Sequence, residues 1–217
     1  MADVKELEEL VSTLKKQVSE MEAKLQIVED IQEIEQLQRI YGFYLDNSMM
    51  TEVADLFSDN AESVEIANRG VYLGKEGVRR FFTGAQGQPA PNWIMGRHMQ
   101  LQGVTHVDPE GKTAKGRWHC LFMSVSNFGA RDMPPRACWG YGVYENEYVK
   151  EKGKWLISKL HFNRYFYTPF DDGWLKTPDA GSIMYDPVQP DLPPTAYHPY
   201  PSHYVVPFHY KHPVTGK

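Results

Sequence analysis

Between residues 95 and 167 this 217-residue chain reads as four long strand segments, and they constrain its fold more than any other feature. The segments cover about 95–108 (MGRHMQLQGVTHVD), 113–126 (TAKGRWHCLFMSVS), 137–150 (ACWGYGVYENEYVK) and 154–167 (KWLISKLHFNRYFY). Each is rich in β-branched and aromatic residues and bounded by turn formers. DPEGK joins the first pair and KEKGK the last, so both connections read as tight hairpin turns. Strands far longer than the usual five or six residues have to bend to pack. The spacing therefore predicts a strongly bent antiparallel meander.

Helices precede the meander. Residues 3–29 lack Gly and Pro, and Leu7, Val11, Leu14, Val18, Met21, Leu25 and Val28 alternate four and three residues apart, the seam of a coiled coil. This helix is expected to pack against a copy of itself or along the main domain; a plain amphipathic helix is the simpler reading. From Ile31 the pattern becomes one face of a domain helix, through Ile34, Leu37, Tyr41 and Tyr44 or Leu45. LDNSM breaks it, and Asp46, Asn47 or Ser48 is positioned to cap a following helix with Val53, Ala54, Leu56 and Phe57. VEIANRGVYLG reads as a short hairpin with Gly70 near its turn, KEGVRRFFTG as a short helix ended by Gly84, and AQGQPAPNW as a loop. Helices, a hairpin, a helix and a meander make an α+β architecture.

Ten of the fifteen prolines fall between Pro169 and Pro213, which disfavours regular elements there. That segment still carries Trp174, Tyr185, Tyr197, Tyr200, Tyr204, Phe208 and Tyr210, too apolar for a simple disordered tail. It reads as an extended arm that wraps the domain, a neighbouring subunit, or both. Three parts are expected: a coiled-coil-like helix (1–29), an α+β domain (30–168) and the arm (169–217).

A net charge of −5 argues against nucleic acid or an anionic membrane as the main partner. Two cysteines, Cys120 and Cys138, do not staple a secreted scaffold, so a reducing cytoplasm is expected. The charged start MADVKELEEL carries no signal-peptide core, and no run reaches the roughly 20 apolar residues of a membrane span. No nucleotide-binding glycine motif, nucleophile elbow or metal-ligand spacing occurs, so the expectation is cofactor-free and metal-free acid–base chemistry.

Strand alternation would put His98, Gln100, Gln102, Val104 and His106 on one face, either solvent-facing or the wall of a polar cavity. It separates Arg117, His119, Leu121 and Met123 from Trp118, Cys120 and Phe122, and groups Leu160, Phe162, Arg164 and Phe166. An arginine in apolar company calls for an anionic partner, substrate or carboxylate, unless it snorkels to solvent. A helix supplying Tyr and Asp, packed into a curved sheet supplying His and Arg, would make a pocket with convergent titratable groups.

The stretches IQEIEQLQRIYGFYLDNSMMTEVADLFSDNAESVEI, GRHMQLQGVTHVDPEGKTAKGRW and YENEYVKEKGKWLISKLHF carry a resemblance over about residues 28–168. The chain resembles the SnoaL-like branch of the nuclear-transport-factor-two-like superfamily, which includes bile-acid dehydratase, scytalone dehydratase, ketosteroid isomerase and lyases that release formaldehyde from lignin-derived diarylpropanes. The resemblance implies a cone-shaped α+β barrel with catalytic Tyr41, Asp46, His98 and Arg164. Phe122 stands where bile-acid dehydratase has a further aspartate. Tyr44, Trp118, Phe122, Tyr141 and Phe162 are the candidate substrate-binding residues, with Phe43, Trp93, Trp139 and Phe166 as further candidate walls.

The implied chemistry is a lyase in which Asp46 orients His98 as general base, Tyr41 donates to a substrate oxygen, and Arg164 stabilises developing charge. Water or formaldehyde would leave a hydroxylated aromatic or alicyclic compound. An isomerase and a non-catalytic binding or assembly module are the alternatives, the latter favoured if His98 and Asp46 lie more than about 6 Å apart and in solvent. The two ends of the chain predict a homo-oligomer, which the resemblance makes a trimer, with a dimer next.

Overall fold

The computed structural model describes residues 4–85, 95–126, 134–180 and 188–217; most of the expected loop, with Trp93, and Tyr185 of the arm lie outside the described residues. One unbroken helix, α1 (Val4–Asp46), opens the chain. It crosses the expected boundary at residue 29 without a break, but its environment changes there: residues 4–29 are exposed and Asp30 is buried. Next come α2 (Met50–Asp55), β1 (Ser63–Ile66), β2 (Val71–Leu73) and α3 (Gly74–Arg79), which runs on as a wider turn over Arg80–Ala85. The meander is β3 (Gly96–Val107), β4 (Thr113–Ser126), β5 (Arg136–Glu151) and β6 (Lys154–Pro169), close to the expected bounds. Among the described residues of the arm, a single turn, α4 (Gly173–Lys176), interrupts otherwise irregular backbone.

The six strands form one curved sheet in the order β2-β1-β6-β5-β4-β3. Pairing is antiparallel apart from β1 with β6, which is parallel. The sheet does not close into a barrel: β2 and β3 are its edges. The fold is a cone-shaped α+β fold, with α1, α2 and α3 over the inner face. There Ile34, Leu37 and Tyr41 of α1 meet Phe57, Phe81, Phe82, Trp118, Tyr144, Ile157 and Phe162 in one core. Among the described residues no helix is long and apolar enough to cross a membrane.

Buried polar groups set how α1 sits on the sheet. Gln38 is fully buried. Its Oε1 accepts from Asn146 Nδ2 (3.0 Å) and Tyr148 Oη (2.8 Å), and its Nε2 donates to Gln100 Oε1 (2.8 Å). Trp118 Nε1 donates to the same Tyr148 hydroxyl (2.9 Å), and Asn146 Oδ1 accepts the His161 N–H. A buried amide without these partners would cost on the order of 1–3 kcal/mol, so the network selects one roll angle for the helix. One turn on, Gly42 lets helix and edge strand touch: a Cβ there would lie 2.9 Å from the His98 carbonyl oxygen. At the other end of the contact, Asp30 accepts from Lys150 Nζ (2.6 Å) and Trp155 Nε1 (2.9 Å).

Two bulges revise the expected strand faces. In β3 the register jumps between Leu101 and Val104, so Gln102 (φ 44°) and Gly103 together oppose Trp118. His98 and Gln100 face inward beside Phe122 and Cys120, while Val104 and His106 pair with Arg117 and Lys115 on the outer face. The single polar face expected from His98 to His106 is therefore split. In β6 the extra residue is Tyr165, which leaves Phe162 and Arg164 inside and sends Phe166 outside, opposite Tyr141. Gly103 is required at its bulge, since a Cβ would lie 2.0 Å from the Trp118 ring.

The described parts of the arm wrap their own domain, mostly over its outer face, with Val188 against the core and Asp179 and Tyr197 reaching Arg164. Leu192 bridges Val71 at the β2 edge, and Asp191 pairs with Arg80 (2.7 Å). Thr195 donates to Glu65, and Tyr200 N–H to the Tyr165 carbonyl (2.7 Å). Arg117 then donates to the Val206 and Pro207 carbonyls and pairs with Glu145 (3.2 Å), which also holds His209.

Replacing Gly103 by Ala should destabilise the fold by about 1–3 kcal/mol through the forced shift of Trp118, read as a lower urea midpoint. Burial pushes the Asp30 carboxyl up, but Lys150, Trp155 and Gln26 outweigh it and hold it below its ordinary value of 3.8. A depressed folded value means stability that is present above the unfolded value and lost as pH falls through the folded one. Asp30→Asn should therefore lower stability at pH 7 and flatten its decline between about pH 5 and 2, measured by urea titration at stepped pH.

Candidate active site

Asp46 is the last residue of α1, and His98 lies at the start of edge strand β3, directly across from it. One carboxylate oxygen, Asp46 Oδ1, accepts from the His98 backbone N–H (2.7 Å) and contacts the His98 ring at Nδ1 (3.0 Å). The backbone bond fixes where the carboxylate sits. The ring contact then favours the tautomer with a proton on Nδ1, leaving Nε2 as the basic nitrogen. Phe122 stacks against the imidazole at 5.6 Å between centroids and 13° between planes. Asp46 is thus not a helix cap: α2 begins after Met49, and no side chain caps it.

The pair opens on a groove of about 450 Å³ between α1 and β3. Its polar wall is Asp46, His98, Arg39 and Arg97; its apolar wall is Phe43, Met99, Leu101 and Met123. Arg39 is tied to Glu35 (2.7 Å), and Arg97 donates to the carbonyls of Gly96 and Asp46, so both guanidiniums are oriented along the rim. Phe43 is strongly exposed and stands over this opening.

Tyr41 lies deeper, fully buried on the inner face against Phe82 and Tyr144. Its hydroxyl is buried and makes no hydrogen bond of normal geometry among the described residues. Burial pushes the Tyr41 phenol well above its ordinary range and, with Tyr41 beside it, does the same to Tyr144. Both are held as neutral phenols. Burial and the Asp46 charge push the nearby Cys120 thiol up to about 12, so it stays protonated.

Arg164 is buried on the inner face, but its anionic partner is the chain's own. It pairs with Asp179 of the arm (3.0 Å), donates to the Tyr197 hydroxyl (3.3 Å) and lies over the Tyr167 ring. Of the four residues expected to carry chemistry, the fold brings Asp46 and His98 into contact and ties Arg164 to the arm instead.

The expected lining residues divide between two faces. Phe122 and Phe162 are inside, with Phe162 4.5 Å from Tyr144 between ring centroids. Trp118 is inside and committed to the Gln38 network. Tyr44 is half-buried against the core. Tyr141 is on the outer face, bonded to His119 and stacked on Tyr165, and Trp139 and Phe166 pack with Trp174 under the arm. Tyr141, Trp139 and Phe166 are thus remote from the His98–Asp46 groove. Among the described residues no group of three or more His, Cys, Asp and Glu could hold a metal ion.

Sequence reasoning missed Asp179, Tyr197, Arg39 and Arg97. Arg39 was legible: it is three residues after Gln36 on the helix side opposite the core, one turn from Phe43. Asp179 carried no signal in the sequence, because only the path of the arm brings it to β6. Asp179→Asn should lower stability by about 3–5 kcal/mol, since it removes the carboxylate beside a buried guanidinium, and the denaturation midpoint should show it.

Comparison with solved structures finds the same fold. A protein provisionally named a scytalone dehydratase, from Novosphingobium aromaticivorans DSM 12444, superposes with a TM-score of 0.56 at 19% identity, covering 68% of this chain and 91% of that one. The hexachlorocyclohexane dehydrochlorinase LinA-type3 from Novosphingobium barchaimii LL02 gives 0.56 at 20% identity, covering 68% and 94%. A protein provisionally named an aromatic ring hydroxylase, also from Novosphingobium aromaticivorans, gives 0.54 at 21%, covering 67% and 96%. Comparison with curated proteins finds no match. The model of the SnoaL-like domain matches residues 26–161, from the exposed part of α1 into β6, and the chain belongs to the SnoaL-like family.

Proposed function

We propose that this protein is a cofactor-independent lyase that eliminates water or formaldehyde from a hydroxylated aromatic or alicyclic small molecule. The observation that carries the reading is the contact of His98 with Asp46, at 3.0 Å and on the rim of an apolar groove. This separation is well short of the roughly 6 Å beyond which, in solvent, a binding or assembly role would be favoured. Asp46 orients the ring, and Nε2 acts as the general base, worth roughly 10²–10⁴-fold in rate.

In a dehydration, Nε2 takes a proton from a carbon activated by a neighbouring ring or carbonyl. The C–H pair becomes the new C=C bond, the C–O bond breaks, and the departing hydroxyl recovers the proton from His98 as water. In the formaldehyde-releasing variant the proton comes from a hydroxymethyl oxygen. The C–C bond then breaks, its pair forms the C=C bond, and a hydroxyl on the adjacent carbon leaves as water. Tyr41, kept neutral by burial, is the proposed donor to the substrate oxygen. Phe122 and Phe162 line the inner side of the proposed site, with Trp118 behind them and Tyr44 at the helix end. Arg164, already balanced by Asp179, holds the arm to β6 and lends its charge to the site only through that pair.

The fold neighbours named for dehydration and dehydrochlorination are compatible with elimination, and the family membership supports a small-molecule site. His98→Ala should lower kcat/KM at least about a hundredfold with the melting temperature retained. Asp46→Asn should lower it by a smaller factor, because the ring loses the carboxylate that orients it. Undiminished turnover in His98→Ala would sink the dyad. A product of unchanged mass would replace elimination by isomerisation.

A further inference from the structure

The exposed half of α1 carries a seam that its own domain does not cover. Val4, Val11, Val18 and Leu25 fall at the a positions of a heptad, and Leu7, Leu14, Met21 and Val28 at the d positions. All eight are exposed, from 48% at Leu14 to 69% at Val4. Beyond Val28 the next two seam positions are Gln32 and Glu35, both polar, and there the domain contacts begin with Asp30. Because α1 is one unbroken helix, the direction of the seam is fixed relative to the domain. At about 100° per residue the seam centres about 180° from the face formed by Asp30, Ile34, Leu37, Gln38, Tyr41 and Leu45. The seam therefore points away from the sheet and cannot fold back along it. Nothing among the described residues buries it, and another molecule can.

The chemistry of the seam selects that molecule. β-Branched valine at three a positions with leucine at the first two d positions favours two parallel strands. In a parallel in-register pair, Lys24 of one helix faces Glu29 of the other, an attractive contact, and Leu10 faces Lys15 and Gln17 faces Glu22 without like-charge repulsion. An antiparallel overlap of the same seam sets Glu8 against Glu22 twice and Lys15 against Lys15. We infer that residues 4–28 form a parallel, in-register, two-stranded coiled coil with a second copy of this chain. Two domains are then held at one end of the coil, each sheet facing away from the common axis. At about 1.5 Å per residue the coil is roughly 37 Å long, above the length at which a lone helix is marginal.

Disulfide trapping in the full-length chain tests this. Leu14→Cys places a thiol at a d position, next to its counterpart only in a parallel in-register pair, and Ser12→Cys places one outside the seam. Mild oxidation should convert nearly all of Leu14→Cys to a covalent dimer, with Ser12→Cys and the parent chain, whose two cysteines are buried, staying monomeric on a denaturing gel. Met21→Cys should repeat the result should Leu14→Cys not fold. Equal, weak cross-linking of the seam and control variants would overturn the parallel pair. Cross-linking that halts at about two thirds of the chains would overturn the two-stranded state in favour of three.

Discussion

Gln38, buried beneath α1, fixes the roll of that helix through its bonds to Gln100, Asn146 and Tyr148, and much of the remaining structure follows from that angle. A helix lying on an apolar sheet can rotate at small cost as long as it buries the same area. An amide with three specific partners cannot, because each lost bond exposes a dry polar group. With the roll set, Tyr41 turns into the core, and Asp46 reaches the first residues of β3. The heptad residues on the far side are held in solvent. One side chain thus couples the geometry of the proposed site to the direction in which the exposed heptad seam of the N-terminal helix faces.

The proposed chemistry sits where the fold is least enclosed. His98 is on an edge strand, whose outer backbone groups have no neighbouring strand among the described residues, and Asp46 is at a helix end. Such places leave side chains accessible, yet here both are pinned: the carboxylate is held by a backbone N–H, and the imidazole is clamped between that carboxylate and Phe122. Preorganisation at an open edge gives a small-molecule enzyme both entry and orientation. Deeper in, the neutral phenols of Tyr41 and Tyr144 and the protonated thiol of Cys120 make a polar but uncharged floor. The cationic Arg164 is neutralised by the arm.

The meander was legible because its strands are long, β-rich and separated by turn residues, and the helix over residues 4–46 because its periodicity spans many turns. The pairing of Asp46 with His98 came only from resemblance, since nothing local ties two residues 52 apart. What alternation alone misplaced has one physical cause. Single-residue bulges at Gln102–Gly103 and at Tyr165 reverse the phase of a strand, and the sequence before and after each looks uninterrupted. Hence His106 and Phe166 moved to the outer face, whereas Trp139 and Tyr141 lie there by the unbroken alternation of β5 against β4. Asp46 looked like a cap because aspartate at a helix end commonly serves as one; here a strand residue competes for the same carboxylate and wins.

The wrapping arm also has a temporal meaning. Its anchor points, Glu65, Val71, Arg117, Glu145 and Tyr165, all belong to strands that leave the ribosome well before residues 191–209 do. Until then Glu65 lacks Thr195, Arg117 lacks the Val206 and Pro207 carbonyls, and the outer aromatic face around Tyr141 and Tyr165 has no arm across it. Covering the outer face is thereby the last packing step open to the sheet during synthesis, because all six strands are made before the residues that lie across them.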